Sequence, residues 1–296
     1  MELRLAAQPL GPKRVGIVVA DDDVALAAAD AALDLEIAFP VLIGNERKVR
    51  EKMEALKLSR MSSRAEYIDT DDAAPIAAQM AGRGGVDLLL KGHLRTDELL
   101  RAILRKEAGL RTGRLLSDVL LYEDRLAGEP RLVGITDGGL NVAPDLDQKE
   151  QIVRNAAELL HRLGRKRPKI AIMSATEAVT ESIPSSIDAR LLTAMSETGE
   201  FGDVEVFGPL ALDCALLESA ARTKGIVHSV AGQADCMVVP NIEAGNLLGK
   251  SAKYLGGSQC AHVVVGSKVP ILIPSRVESV DDKINSIALG VILAAR

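Results

Sequence analysis

Short apolar runs alternate with longer amphipathic ones along almost the whole chain, and this alternation constrains the fold more than any other feature. Val15–Ala20 is an apolar run, and Asp23–Leu33 follows it as an alanine-rich segment whose leading aspartate favours a helix start. A strand, a helix and a further strand in succession are the repeating unit of a parallel sheet with helices on both faces. The sequence therefore predicts an α/β fold.

The same pattern places the other elements. Further strands are predicted at Pro40–Ile43, Leu88–Leu90, Ile170–Met173, Val204–Phe207, Met237–Val239, Val263–Val265 and Ile271–Ile273. Further helices are predicted at Glu46–Leu56, Asp97–Arg105 (with Thr96 as N-cap), Ile187–Glu197, Asp213–Ala221, Gly245–Tyr254 and Asp281–Leu293. Leu115–Tyr122 and Arg131–Thr136 have no room for a helix between them, which indicates an antiparallel hairpin. Asp147–Glu150 resembles a capping box that opens a helix to about Leu163.

The length and a change of rhythm near residue 115 indicate how the chain divides. At about 150 residues per domain, a chain of 296 residues predicts two domains. We expect two α/β/α domains with a cleft between them, one formed by residues 1–130 with 277–296 and the other by residues 131–276. Ligands usually bind in clefts of this kind.

Composition argues against several classes of function. Lys and Arg number 36 against 41 Asp and Glu, which gives a net charge of −5, and aromatic residues make up 2% of the chain. A nucleic-acid binder needs an excess of cations and usually an aromatic stacking platform, so we expect no nucleic-acid partner. No stretch approaches the ~20 apolar residues of a membrane-spanning helix, so we expect no membrane partner. Three cysteines without a C-x-x-C pair or a signal peptide favour the reducing cytoplasm.

Two segments imitate nucleotide-binding motifs but differ from them in spacing or charge. Gly245–Ser251 (GNLLGKS) has three residues between its glycines where a phosphate-binding P-loop needs four. A helix start with glycine for close backbone approach is the better interpretation. Asp21–Asp23 follows the first strand, where the G-x-G-x-x-G of a dinucleotide site would lie. Of the four scattered histidines, His93 alone lies in a loop after a buried strand, where α/β sheets bind ligands.

The sharpest local signal is Pro274-Ser275-Arg276, which stands at the end of the last strand and shortly before the last helix. Arginine offers a planar fork of donors that suits a phosphate group, and serine adds a hydroxyl donor. Asp281 or Asp282, in the first turn of the helix, could act as a general base. The alternative is structural, because Ser279–Asp282 also fits a capping box with Asp282 at the third helical position.

Two basic turns are further candidates for phosphate contact. Gly109–Arg114 (GLRTGR) sets Arg111 and Arg114 among glycines that let backbone donors approach a ligand closely. Arg165–Arg167 (RKR) is a second cationic turn. A solvated turn is the alternative for the first segment, and a solvated linker is the favoured interpretation of the second.

Six segments together resemble the phosphate acetyl/butyryl transferase family, and most of all its phosphate butyryltransferase branch. They run in family order over nearly the whole chain, and their joint order and spacing is specific. The segments are Lys91–Thr96 (KGHLRT), Gly109–Asp118 (GLRTGRLLSD), Ile135–Lys149 (ITDGGLNVAPDLDQK), Gly208–Leu216 (GPLALDCAL), Ile242–Gly257 (IEAGNLLGKSAKYLGG) and Pro274–Leu289 (PSRVESVDDKINSIAL).

The resemblance implies a reaction in which acyl-CoA and phosphate give acyl phosphate and CoA, with butyryl or another short acyl group and acetyl as the alternative. It implies CoA as a substrate, no tightly bound cofactor, no metal, usually a homodimer, and a topology like that of isocitrate and isopropylmalate dehydrogenases. It maps the family's catalytic Ser-Arg pair onto Ser275 and Arg276, and the catalytic acid onto Asp282 with Asp281 one residue away. Substrate contacts are expected at Lys91, Gly92, Thr96, Arg111, Arg114, Asn246 and Lys250.

The resemblance leaves the family's phosphate-contacting arginine open among Arg95, Arg101, Arg111 and Arg114. An acyl phosphate is already activated, so direct transfer in a ternary complex needs no covalent enzyme intermediate. The cysteines are therefore not expected to act as nucleophiles, and apolar surroundings are expected to raise their pKa values. These residues are Cys214, Cys236 and Cys260.

Two other function classes stand beside this one. A metal- and nicotinamide-dependent decarboxylating dehydrogenase would need clustered carboxylate ligands. The local cluster of Asp137, Asp145 and Asp147 is expected to cap helices and form turns instead. A non-catalytic relative that binds CoA or another ligand would have no use for a general base next to Ser275 and Arg276.

Overall fold

A computed structural model of the chain describes residues 2–126, 128–275 and 277–295. The chain forms two compact units, the first made of residues 1–114 with 261–296 and the second of residues 115–260. These bounds differ from the expected boundaries after residues 130 and 276. The strands on either side of residue 130 pair with each other, and a strand that ends at residue 265 pairs with the one at 271–272.

The helices and strands follow one another in the expected alternation. Along residues 2–114 they are α1 (Leu3–Ala7), β1 (Lys13–Val18), α2 (Asp23–Asp34), β2 (Ala38–Gly44), α3 (Glu46–Ala55), α4 (Ser59–Arg64), β3 (Glu66–Asp69), α5 (Ala73–Gly82), β4 (Leu88–Lys91) and α6 (Thr96–Ile103). Along residues 115–260 they are β5 (Ser117–Asp124), β6 (Arg131–Thr136), α7 (Leu146–Arg162), β7 (Lys169–Met173), α8 (Pro184–Glu197), β8 (Glu205–Leu210), α9 (Leu212–Leu216), α10 (Glu218–Thr223), β9 (Cys236–Val238) and α11 (Ile242–Lys250). The last elements are β10 (Cys260–Val265), β11 (Ile271–Leu272) and α12 (Val280–Ala294).

The first unit is built on strands in the order β3-β2-β1-β4-β11-β10. Neighbouring strands are parallel, apart from β10, which runs antiparallel to β11. β1, β2 and β4 are mostly buried because their residues are apolar on both faces, as in parallel sheets covered by helices. α12 is buried along most of its length and packs against α1 and α2. Its Lys283 contacts Asp22, so its first turn lies beside the carboxyl end of β1.

The second unit is built on strands in the order β5-β6-β9-β7-β8. β5 and β6 form the predicted antiparallel hairpin, and the other neighbours are parallel. The core on one side of this sheet includes Val133, Ile135, Met237 and Leu210. The structure thus confirms a mixed α/β fold.

Several local predictions were wrong. Thr96 is the first residue of α6 rather than its N-cap, which is Arg95 without a side-chain cap. The capping box of α7 is formed by Asp145 and Gln148, so the helix starts one residue before Asp147. The helix expected over Asp213–Ala221 is interrupted at Leu217, whose backbone is extended, and becomes α9 and α10. Within the described ranges, no helix is both long and apolar enough to span a bilayer.

Candidate active site

The carboxyl ends of β1 and β4 bring the first of the predicted site residues into place. Lys91 ends β4 and is buried, and Gly92 follows it directly. The backbone of Gly92 donates a hydrogen bond to the carbonyl of Val18 at 2.9 Å. A Cβ at position 92 would lie 2.2 Å from the carbonyl oxygen of Val19, so only glycine fits this approach.

Two lysines and an aspartate form a buried charge cluster at this edge: Asp22, Lys91 and Lys283. The Lys283 ammonium group lies 3.2 Å from Asp22 Oδ1, and both lysines are buried. Burial alone would raise the pKa of the Asp22 carboxyl, but the Ala25 amide and the charges of Lys283 and Lys91 hold that pKa below its usual value. Only Lys91 of this cluster was identified from the sequence.

The loop after β11, residues 273–279 (the Ser275 loop), carries the predicted Ser-Arg pair. Ser275 is exposed, and Arg276 lies outside the described residues. The backbone N–H of Ser275 donates to Glu278 Oε1 at 3.0 Å, and the N–H of Glu278 donates back to the Ser275 carbonyl at 3.1 Å. These reciprocal bonds fix the Ser275 backbone and do not use its hydroxyl.

Glu278 is a residue of this loop that sequence reasoning missed. Its side chain is 8% exposed, and its Oε1 lies 3.5 Å from Nε2 of His262 on β10. Its Oε2 is buried with no hydrogen-bond partner among the described residues. A buried carboxylate oxygen without a partner is costly in a folded protein, which makes it a candidate for a role beyond packing.

The two candidate bases differ sharply in their surroundings. Asp281 is 72% exposed and forms an ion pair with Arg4 at 2.7 Å. Asp282 is 1% exposed, and the Ser279 hydroxyl donates to its Oδ2 at 2.5 Å. Ser279 and Asp282 form the capping box of α12, as the structural alternative predicted. A capping role does not exclude contact with a ligand, because a carboxylate has further acceptor positions.

The remaining candidates from the first unit are more exposed. Thr96 is the first residue of α6. In the loop before α6, Nδ1 of His93 lies 3.9 Å from Oδ2 of Asp21. Arg111 and Arg114 are exposed in the loop between α6 and β5. The Thr112 hydroxyl anchors that loop by donating to the Gly266 carbonyl at 2.5 Å.

Arg95 and Arg101 are the other arginines left open by the sequence. Both contact Asp97, at 2.9 and 2.6 Å, and both are about three-quarters exposed (77% and 76%). Their guanidinium groups therefore take part in a surface ion-pair network on the first turn of α6. Such networks contribute little stability and leave the side chains accessible to solvent.

In the second unit, the segment that imitates a P-loop forms α11, as the alternative interpretation predicted. A Cβ on Gly245 would lie 2.7 Å from the Cα of Gly138, so glycine on both sides lets two backbones touch. The Asn246 side chain donates to the Gly138 carbonyl at 3.3 Å. Lys250 is exposed one turn further along the same helix.

Asp137 and Asp145 serve the turns and caps that the sequence predicted. Asp137 Oδ1 accepts the backbone N–H groups of Gly139 and Leu140 at 2.9 and 2.8 Å, and Asp145 caps α7. Burial, and then the neighbouring Asp118, raise the pKa of Asp137 above its usual value.

The expected rise in cysteine pKa is found for Cys236 and for Cys214. Burial raises the pKa of the Cys236 thiol to about 12. Burial and the Glu177 carboxylate raise the pKa of the Cys214 thiol to about 11. Ligand atoms of Glu177, Asp213 and Cys214 lie within 4.8 Å of one another. The Lys224 ammonium group already pairs with both carboxylates, at 2.9 and 3.1 Å.

Known proteins resemble this chain over its full length. A family model described as "Phosphate acetyl/butaryl transferase" matches residues 61–291. The chain is 36% identical to the phosphate butyryltransferase of Clostridium beijerinckii, over 100% of this chain and 97% of that protein. It is also 36% identical to the phosphate acetyltransferase of Rickettsia felis, over 98% of this chain and 83% of that protein.

A solved structure agrees with these matches. The crystal structure of a branched-chain phosphotransacylase from Enterococcus faecalis has a TM-score of 0.84 and 29% sequence identity. The match covers 95% of this chain and 99% of that chain. The butyryltransferase and the acetyltransferase named above are equally similar to this chain, at 36% identity. Both matches cover both compact units.

Proposed function

We infer that this chain, which belongs to the phosphate acetyl/butyryl transferase family, is an enzyme that transfers a short acyl group between coenzyme A and inorganic phosphate. The reaction is acyl-CoA + phosphate = acyl phosphate + CoA, with CoA as a substrate. The observation that carries this conclusion is the likeness to a phosphate butyryltransferase over the whole chain.

The chemical step begins with a proton on sulfur. A CoA thiol has a pKa near that of free cysteine, roughly 8.5, so only a few per cent is thiolate at neutral pH. In the direction that forms acyl-CoA, a carboxylate takes this proton and the sulfur attacks the acyl carbon. The bond from that carbon to the phosphate oxygen then breaks, and phosphate leaves. A positioned base of this kind typically contributes 10²–10⁴-fold to the rate.

Asp282 is the base in this proposal. Its capping-box position supports the choice because it fixes the carboxylate next to the Ser275 loop. Asp281 projects from the same turn but is mostly exposed and paired with Arg4. The Asp281 carboxylate already accepts from the Arg4 guanidinium, so it is less available to a thiol.

Ser275 and Arg276 complete the catalytic set. The Ser275 hydroxyl donates to the thiolate or to the oxyanion that develops on the acyl carbonyl, a type of contact worth a few kcal/mol. The Arg276 fork binds the phosphoryl oxygens and favours phosphate as leaving group. No metal or resident cofactor is needed for these steps.

Glu278 acts as a positioning residue in the same proposal. Its Oε1 accepts the Ser275 amide and also lies 3.5 Å from Nε2 of His262. Loss of this carboxylate would let the Ser275 hydroxyl move by fractions of an ångström. Small misplacements of a catalytic group are enough to reduce turnover.

The expected substrate contacts have different support. Buried Lys91 lies beside Asp22, which supports a role in presenting positive charge to a phosphoryl group, and Gly92 lets the backbone approach closely. Arg111 and Arg114 are exposed cations suited to the CoA phosphates. The other proposed contacts are Thr96 on α6 and Asn246 with Lys250 on α11.

A thiol-release assay tests the reaction directly. The purified chain is mixed with butyryl-CoA or acetyl-CoA and phosphate, without metal or NAD, and free CoA thiol is followed over time. We expect release that depends on phosphate. An absence of release with every short acyl-CoA would contradict the inference and favour a non-catalytic relative.

The acyl chain is proposed to be butyryl or another short chain, with acetyl as the alternative. One methylene in a binding pocket is worth only about 1–3 kcal/mol, so several chains should react at different rates. Comparison of kcat/KM for acetyl-, propionyl- and butyryl-CoA ranks them. A higher value for acetyl-CoA would place the chain with the phosphate acetyltransferases.

Substitutions test the assigned roles. We expect Arg276→Ala to lose most of kcat/KM and to raise the KM for phosphate, and Ser275→Ala to lower kcat. We expect Asp282→Asn to lower kcat far more than Asp281→Asn, which serves as its matched control. The reverse order would move the base by one residue, and unchanged kinetics for Arg276→Ala would assign phosphate to another cation.

We also propose a cellular location, an oligomeric state and a topology for the enzyme. Buried thiols suit a reducing cytoplasm, and the family resemblance favours a homodimer with a topology like that of isocitrate and isopropylmalate dehydrogenases. Sedimentation of the purified chain measures the oligomeric state.

A further inference from the structure

A wide cavity of about 820 Å³ opens at the amino ends of the strands in the second unit. Arg131 begins β6, Lys169 begins β7, and Asp235 immediately precedes β9, which lies between those two strands. Ligands of α/β sheets usually bind outside the carboxyl ends of the strands. This amino-edge cavity therefore lies at the opposite edge from Asp137, which follows the carboxyl end of β6.

The charge of the cavity wall differs from that of the chain. The whole protein has a net charge of −5. The residues that line the cavity include two acidic ones, Glu218 and Asp235, and six basic ones. The cations are Arg131, Arg165, Lys166, Arg167, Lys169 and Arg222. They include the whole basic turn that the sequence favoured as a solvated linker.

Acidic neighbours orient three of these guanidinium groups. Arg131 Nε lies 3.0 Å from Asp124, which is buried, and Arg165 Nε lies 3.4 Å from Asp235. Arg167 Nε lies 2.9 Å from an oxygen of Glu205. A guanidinium has five N–H donors, so a contact through Nε fixes its plane and uses only one of them. Arg131 Nη2 also donates to the Leu216 carbonyl at 3.4 Å, which leaves the donors of its other terminal nitrogen for a ligand. Cations fixed in this way lose less entropy when they bind an anion.

We propose that the amino-edge cavity binds a small molecule carrying at least two linked phosphate groups, of the nucleoside diphosphate class. Arginine forks match phosphate oxygens in pairs, and cations spread over two strand ends, a turn and α10 can contact more than one phosphate. The volume falls within the range of about 300–1,000 Å³ typical of small-molecule sites. Leu126 and Leu217 supply apolar surface for the remainder of such a ligand.

Two features of the wall argue against a longer polyanion. Glu218 and Asp235 would repel a continuous phosphate backbone, and the net negative charge of the chain gives no long-range attraction for nucleic acid. A diphosphate can come from a free nucleotide or from the CoA molecule itself, since both carry the same linked phosphates.

Titration calorimetry of the full chain with ADP, and separately with inorganic pyrophosphate, tests the proposal. The test variant is Arg165→Ala/Lys166→Ala/Arg167→Ala, and the matched control is Arg47→Ala/Lys48→Ala/Arg50→Ala, a basic run exposed on α3. We expect the test variant to bind ADP at least tenfold more weakly than the wild type, and the control variant to bind as the wild type does. Raising the salt concentration should weaken wild-type binding.

The acyl-transfer assay separates the two sources of diphosphate. An unchanged KM for CoA in the test variant, with ADP binding lost, assigns the cavity to a free nucleotide. A rise in that KM together with the loss of ADP binding assigns it to the CoA phosphates. Millimolar ADP and pyrophosphate that fail to bind the wild type, or bind the test variant equally well, would overturn the proposal. These binding results stand even if no acyl transfer is detected.

Discussion

The carboxyl ends of the strands in the two units are built by different physical means. In the first unit, Lys91 and Lys283 are buried, and their charges lower the pKa of the partly buried Asp22 carboxyl. In the second unit, the backbones of Gly138 and Gly245 approach each other, and polar side chains of α11 face solvent. The first edge depends on charge compensation, and the second depends on the absence of side chains.

This difference separates the two edges experimentally. The contribution of a buried charge depends on pH and survives added salt, because buried pairs are screened less than exposed ones. The contribution of a close backbone contact depends neither on pH nor on salt concentration. Substitutions that disturb one edge at a time should therefore have different pH dependences as well as different magnitudes.

The largest loss of stability is expected from Gly138→Ala. The new Cβ would lie 2.8 Å from the carbonyl carbon of Gly245 and 3.0 Å from the amide of Asn246, and neither backbone atom can move alone. Overpacking of this kind typically costs 1–3 kcal/mol, and we expect a loss of about 3 kcal/mol in the free energy of unfolding. Urea unfolding should give the same loss at pH 7 and pH 5.

Gly85→Ala is the matched control for this substitution. A Cβ there would lie 3.3 Å from its nearest neighbour, the Met80 carbonyl oxygen, on the partly exposed turn before β4. We expect a change below about 1 kcal/mol. A loss for Gly138→Ala no larger than that of the control would mean that the two segments can separate without penalty.

A smaller loss is expected from Asp22→Asn. Asparagine can still cap α2, so the substitution removes the charge and keeps the cap. It removes the carboxylate that pairs with the buried Lys283. Breaking a fully buried pair costs about 3–5 kcal/mol, and because the Asp22 side chain is 19% exposed we expect about 2 kcal/mol at pH 7.

The pH dependence of this loss has a definite sign. Because the folded-state pKa of Asp22 is lowered, its carboxylate stabilises the folded protein fully above the ordinary aspartate pKa of 3.8. That stabilisation starts to decline near pH 3.8 and is lost as the pH falls through the lower folded-state pKa. The difference between wild type and Asp22→Asn should shrink between pH 5 and pH 3 in urea unfolding. A difference that stays constant over this range would contradict a charge effect.

The comparison also shows what the sequence could predict. Apolar runs such as Ile170–Met173 identified the strands, because buried parallel strands leave a continuous signal. The helix α5 escaped prediction because its alanines give little contrast between faces. A close backbone approach was predicted at Gly245, which lies on α11. Its partner Gly138 was not identified, because nothing in the sequence indicates which segment packs against that helix.

The sequence predicted the site residues that lie at strand ends. It did not predict the contacts between charged residues that are far apart in the sequence. Ser275 lies three residues after β11, and its position at a strand end identified it. Lys91 ends β4, and the family resemblance indicated it as a substrate contact. Asp22 was noted only within the acidic run that replaces a dinucleotide motif, and its pairing with Lys283 spans 261 residues of sequence. Nothing local in the sequence links Glu278 to His262, because that contact depends on how the Ser275 loop returns to β10.

The smallest effect is expected from Asp281→Asn, and it sharpens the contrast with Asp22. The Arg4–Asp281 pair is as short as a buried one at 2.7 Å, but its side chains are 29% and 72% exposed. Exposed pairs contribute about 0.2–1 kcal/mol because water screens the attraction and ordering two long side chains costs entropy. We expect the free energy of unfolding to fall by about 0.5 kcal/mol in low salt. This loss should vanish in 1 M NaCl, where the Debye length is about 3 Å. The loss for Asp22→Asn should persist in the same salt, because its partners are shielded from solvent ions. If salt removed both losses equally, the charges of the first unit would be accessible to solvent, and the distinction between its edge and a surface ion pair would fail.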